Sequence, residues 1–209
     1  MARFDEDELR RLAAERLHAA PPEVARFSDD DLNPEARIVP PGVIPRPAAV
    51  LVPLIAREGG LTMLLTERTA HLSSHAGQVA FPGGRIDEGD ESPLGAALRE
   101  TEEETGIASR YIEPLGYLDT YLTGTSYRIV PVVGLVRPGF AVEPHAHEVA
   151  SVFEVPLAFL MNPDHHLRHS REWQGKERFY YAMPFGERYI WGATAGMIRN
   201  LYNLLYAPR

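Results

Sequence analysis

The strongest constraint in the chain is a glycine loop, Phe81-Pro82-Gly83-Gly84, feeding an acid-rich segment, Arg99-Glu100-Thr101-Glu102-Glu103-Glu104-Thr105-Gly106-Ile107. Ser92 is a good N-cap and Pro93 suits the first helical position, where its missing N–H costs nothing. Gly106 suits the left-handed residue past the end. The spacing predicts a helix from Pro93 to Thr105. At about 100° per residue, Leu94, Leu98, Thr101 and Thr105 share a stripe to be buried, and Glu100, Glu103 and Glu104 gather on the far side. Like charges at these spacings repel by a few tenths of a kcal/mol per pair. A bare acidic helix face is ordinarily just solvated. The loop in front of it changes the reading: glycines permit close backbone approach, so a carbonyl near Gly84 can join the carboxylates around a hard divalent cation, which takes oxygen ligands. Arg99, one turn before Glu103, is placed to orient it. The helix therefore points to a bound cation that handles phosphate.

In this order and spacing the residues resemble the Nudix box, G-x5-E-x7-R-E-U-x-E-E-x-G-U, with U aliphatic. Gly84, Asp90, Arg99, Glu100, Glu103, Glu104, Gly106 and Ile107 match in sequence. Asp90 replaces the first Glu and stands one residue further from Arg99 than the pattern has it; with the usual spacing, Glu91 takes that slot. Thr101 replaces an aliphatic residue. The resemblance implies the Nudix α/β/α sandwich, an α/β fold with a mixed sheet, the box helix on one face and the C-terminal helix on another. It also implies hydrolysis of a nucleoside diphosphate linked to another moiety, with Mg²⁺ or Mn²⁺ as cofactor. The metal candidates are Glu100, Glu103, Glu104 and the carbonyl of Gly84. A carboxylate not fully used as ligand, Glu103 or Glu148, is the candidate base for the attacking water.

A second stretch, Leu64-Leu65-Thr66-Glu67-Arg68 through Gly77 and Phe81-Pro82-Gly83-Gly84, resembles the signature of the coenzyme A pyrophosphatase branch of that family. Thr69 stands for a small residue, and Ser73 stands where the branch has a second Arg, a natural fork for phosphate; His71, His75 and Arg85 are the residues available to compensate. The branch implies coenzyme A or its thioesters as substrate, with Arg68, His75, Gln78, Phe81 and Arg85 as candidate substrate contacts. Two other readings remain: a Nudix hydrolase acting on ADP-ribose, a nucleotide sugar or an oxidised nucleoside triphosphate, and a non-catalytic nucleotide sensor. Intact Arg99, Glu100, Glu103 and Glu104 speak against the sensor.

The rest of the chain frames this site. Residues 1–35 read as an appendage built on an amphipathic helix from Asp5 to Ala19, and residues 36–209 as the Nudix domain. Ala48–Ala56 and Leu61–Thr66 suggest a hairpin. Ile112–Leu122 and Tyr127–Val136 suggest two strands, with Pro131 marking an edge or a bulge in the second. Gly139–His147 is a loop leading to Glu148, and Pro156–Met161 a short helix. Asn162–Gln174 reads as a polar segment in which His165, His166 and His169 are more simply exposed than zinc-binding. A hairpin turning at Pro184-Phe185-Gly186 and a helix from Ala193 to Tyr206, with Met197, Ile198, Leu201 and Leu205 inward, complete the chain. A net charge of −8 disfavours general nucleic-acid binding. The lack of cysteine excludes disulfides and thiolate chemistry. With no apolar run long enough to span a bilayer and no signal pattern at the N-terminus, the expectation is a cytoplasmic protein whose partner is a small molecule rather than a membrane; a homodimer is compatible with the sequence.

Overall fold

The computed structural model describes residues 4–38, 42–71, 77–173 and 175–208. Its centre is a parallel pair, β2 (Arg46–Arg57) and β8 (Tyr127–Val136), in unbroken register from Arg46 opposite Tyr127 to Ile55 opposite Val136. β3 (Gly60–Arg68) returns antiparallel beside β2, and β9 (Val149–Pro156) adds to β3. β6 (Ile112–Tyr117) and β7 (Tyr121–Leu122) share the outer side of β8, and β1 (Phe27–Ser28) extends β7. Two short pieces, β4 (Val79–Ala80) on β3 and β5 (Gly83–Arg85) on β2, bring the glycine loop into the sheet. The result is a nine-stranded mixed sheet.

Helices cover both faces, so β2 reads as a continuous apolar run rather than an alternating one. Val50, Val52 and Leu54 point to a core shared with α1 (Glu6–Arg16) and α4 (Ala193–Leu201). Ala49, Leu51 and Ile55 point to the other, against Ala96 and Ala97 of α2 (Pro93–Thr105). This is the expected α/β/α sandwich, and α2 begins and ends where Ser92, Pro93 and Gly106 set it; Gly106 has φ 76°. α4 is continued by a π-helical turn, Tyr202–Tyr206. Met197, Ile198, Leu201 and Leu205 are all buried.

Four expectations change. The N-terminal segment is woven in: Leu9 and Leu12 belong to the main core and β1 is part of the sheet. Ile112–Leu122 is two strands, not one. Pro131 sits in a strand paired on both sides, neither an edge nor a bulge of its own. Leu118 donates to its carbonyl across the sheet, so its missing N–H faces the gap between β6 and β7, where no ladder bond is needed. The polar segment after Asn162 forms β10 (Leu167–Trp173), the first strand of an antiparallel three-stranded sheet with β11 (Lys176–Phe185) and β12 (Arg188–Trp191). Its histidines are held separately. His165 stacks on Phe159 at 4.0 Å, His169 bonds Tyr189, and His166 is buried rather than exposed, between the Leu160 carbonyl and Arg199.

Candidate active site

β5 carries Gly83 and Gly84 against β2, opposite Val50 and Ala49. Gly83 has φ 151°, and a Cβ there would stand 2.5 Å from the Ala49 carbonyl oxygen. A Cβ on Gly84 would meet the Glu100 carboxylate at 2.6–2.7 Å. The two glycines thus let the loop lie directly on the acidic side of α2, as the sequence suggests.

The three candidate metal acids of that helix, Glu100, Glu103 and Glu104, are not equivalent. Glu103 is exposed and Glu100 half-buried. Glu104, which the helical wheel places on the open face, is only 4% exposed, because β5 and β3 close over it. It accepts the Gly83 N–H at 3.2 Å and lies 3.7 Å from the Arg68 guanidinium. Burial outweighs both and pushes its carboxyl up to about 7, with the charges of Glu100 and Glu148 adding to the rise. Burial also raises Glu100, against the pull of Arg99.

Arg99 is a hub. Its guanidinium donates to Asp90 at 3.0 and 2.9 Å, to Glu100 at 2.9 Å and to Glu103 at 3.2 Å. Asp90 therefore occupies the first acid position of the box, its carboxyl lowered chiefly by Arg99, while Glu91 is exposed. Its contact here is with Arg99, through both carboxylate oxygens. Glu148 sits in the turn before β9, with His145 at 3.9 Å, and its charge is felt at both Glu100 and Glu104.

Arg68, Gln78, Phe81, Gly84 and Arg85 all line one cavity of about 1690 Å³. Phe81 is 3% exposed and part of the main core, so its first role is packing. His75 and Ser73 lie outside the described residues. The cavity floor is one face of β2, β5 and β8: Arg46, Ala48 and Val50, with Tyr127 and Ile129 beside them and Arg85 opposite Ala48. Arg37 and Arg171 reach it from its sides. Among the described residues, no carboxylate lies within 4.0 Å of Arg37, Arg46, Arg85 or Arg171. Sequence reading missed Arg37, Arg46 and Arg171; the alternation Arg171-Glu172-Trp173 carries the signal only once that segment is seen as a strand.

A NUDIX domain model matches residues 45–180. The chain belongs to the Nudix family. It is similar to the uncharacterized Nudix hydrolase NudL of Escherichia coli strain K12, 41% identical over 157 residues, which span 75% of this chain and 81% of that protein. Among solved structures it is similar to the Nudix hydrolase RenU of M. smegmatis, with TM-score 0.47 and 24% identity over 57% of this chain and 74% of that one. It is similar also to the NUDIX domain of Shewanella oneidensis NrtR, solved with ADP ribose, with TM-score 0.41 and 27% identity over 55% of this chain and 74% of that one. The chain is a Nudix pyrophosphohydrolase, acting on a nucleoside diphosphate derivative. Among the described residues, no helix is long and apolar enough to cross a membrane.

The donor set of this Nudix site suits a hard divalent cation. It offers carboxylate and carbonyl oxygens with no thiolate, and Glu104 is a buried acid whose charge its protein neighbours leave under-compensated. Among the described residues, no three acids or imidazoles converge as a ready-made cage.

Proposed function

We propose that the protein hydrolyses the pyrophosphate bond of coenzyme A, or of an acyl-coenzyme A, releasing 3′,5′-ADP and 4′-phosphopantetheine or its acyl form. The observation that carries this reading is the pairing, in one large cavity, of the box loop with Arg37, Arg46, Arg85 and Arg171, which among the described residues have no carboxylate within ion-pair distance. Coenzyme A bears a diphosphate and a further phosphate on its ribose. A substrate with charge beyond the diphosphate gives the cavity's arginines something to bind. The branch signature around Arg68 and Phe81-Pro82-Gly83-Gly84 supports the same substrate.

Glu100, Glu103 and Glu104, with the Gly84 carbonyl, would hold Mg²⁺ or Mn²⁺, which when bound offsets the diphosphate's charge and acidifies water. Arg99 fixes Glu100 and Glu103, and Asp90 fixes Arg99. Arg68 and Arg85 hold the phosphates at the mouth of the loop. The water oxygen bonds to phosphorus, the bridging P–O bond breaks, and the water's proton goes to a carboxylate. Glu148 is the candidate acceptor, because Arg99 already occupies an oxygen of Glu103.

The test is product analysis with Mg²⁺ or Mn²⁺ on a panel of coenzyme A, ADP-ribose, NADH, a diadenosine polyphosphate and nucleoside triphosphates. The expected result is preferential release of 3′,5′-ADP from coenzyme A. Preferential turnover of another member overturns the coenzyme A assignment while leaving the pyrophosphohydrolase intact.

A further inference from the structure

The β10–β12 sheet presents two tryptophans that the chemistry above leaves unused. His169, Arg171 and Trp173 alternate onto one side of β10. The register sets Arg171 across from Arg178 and His169 across from Tyr180, and β12 brings Trp191 in opposite Ala182. β10 itself buries almost nothing: apart from His169 all its residues are exposed, and Trp173 is 44% exposed. Core packing does not explain a tryptophan there.

What the strand does build is a stack. The Arg171 guanidinium lies 5.3 Å from the Trp173 ring and 4.8 Å from the Trp191 ring. Tyr180 braces Trp191 edge-on at 5.2 Å. Arg171, Trp173 and Trp191 line the same cavity as Gly83, Gly84 and Arg85, as its far wall.

We infer that Trp173, Arg171 and Trp191 form the subsite that receives the planar base of the nucleotide, a reading that rests on the cavity being where a nucleoside diphosphate substrate binds. Indole and guanidinium both present flat, polarisable faces, and a heteroaromatic ring stacks on either with little regard to its hydrogen-bonding edge. The diphosphate then lies over the loop and the base against the sheet, so the second sheet reads the nucleoside while the box reads the phosphates.

The test uses the full chain with two probes, ADP and inorganic pyrophosphate, which share a diphosphate and differ in the ring. Dissociation constants are measured by calorimetry for wild type, Trp173→Ala and Trp173→Phe. The expected result is that Trp173→Ala weakens ADP about tenfold, within the range for one stacked base. Pyrophosphate is unaffected, and Trp173→Phe recovers most of the ADP affinity. Because Trp173 lies outside the hydrophobic core, the melting temperature of Trp173→Ala should match wild type. The inference is overturned if wild type fails to bind ADP, if Trp173→Ala binds ADP as wild type does, or if both probes weaken equally. Coenzyme A turnover is assayed alongside. Ring discrimination intact with no cleavage of coenzyme A overturns only the substrate assignment; cleavage without ring discrimination overturns only this subsite.

Discussion

Glu104→Gln replaces a buried carboxylate with an amide of the same shape, so it separates folding from chemistry. The protein should remain folded, because a neutral group suits a position where burial already pushes the acid up to about 7. Turnover should fall by about a hundredfold or more, a scale set by loss of a group that stabilises transition-state charge, and Mn²⁺ affinity with it. Parallel measurement of melting temperature, Mn²⁺ binding and hydrolysis checks this; near wild-type turnover would remove Glu104 from the site. At this scale the proximity of Arg99, Glu100, Glu103 and Glu104 was readable in advance, since they share one helix, whereas Gly84 is brought against Glu100 by β5. Glu104's burial was not readable, because it depends on β3 and β5 arriving from elsewhere in the chain. Nor was the meaning of Asp90, which is defined by its grip on Arg99.

The elements are held by a few long-range polar clasps whose strength is checkable. Glu113 on β6 accepts from Arg10 of α1 at 2.6 and 2.9 Å and from Arg137, just past β8, at 2.8 Å. The two arginines pull its carboxyl down to about 2 from an ordinary 4.5. A carboxyl depressed in the folded state adds stability that is full above its unfolded value and lost as pH falls through its folded one. So Glu113→Gln should cost on the order of 1 kcal/mol at neutral pH, since these partly exposed groups are screened by water. The difference from wild type should shrink between about pH 4.5 and pH 2, as read by urea titration across that range. A loss that does not change with pH would mean the clasp works through packing instead. Element by element, the strands and helices whose apolar pattern is strong were legible: β2, β3, β8, α2 and the C-terminal helix. β10 was not, because a strand with both faces open to water carries no burial pattern. The aromatic wall of the cavity was hidden for that reason.

For the molecule as a whole, an acidic chain that lines one cavity with six arginines against three aspartates makes a local reversal of sign. Association of a polyanionic substrate should depend on that local field, so kcat/KM for the proposed substrate, coenzyme A, should fall severalfold as salt rises from about 0.05 to 0.3 M, with kcat changing little. Steady-state kinetics over that range tests it; kcat/KM insensitive to salt would mean the guanidiniums do not draw the substrate in. The central parallel pair has another consequence, for how the molecule comes into being. Arg46 meets Tyr127 about 80 residues along the chain, and everything that makes the catalytic loop and its helix lies inside that span. The middle of the sheet cannot zip from a local hairpin. It waits for a long loop to close, and until then β2 is an apolar edge without a neighbour on that side. The protein should therefore refold slowly from denaturant, and crowd into aggregates if concentrated before that pair has formed.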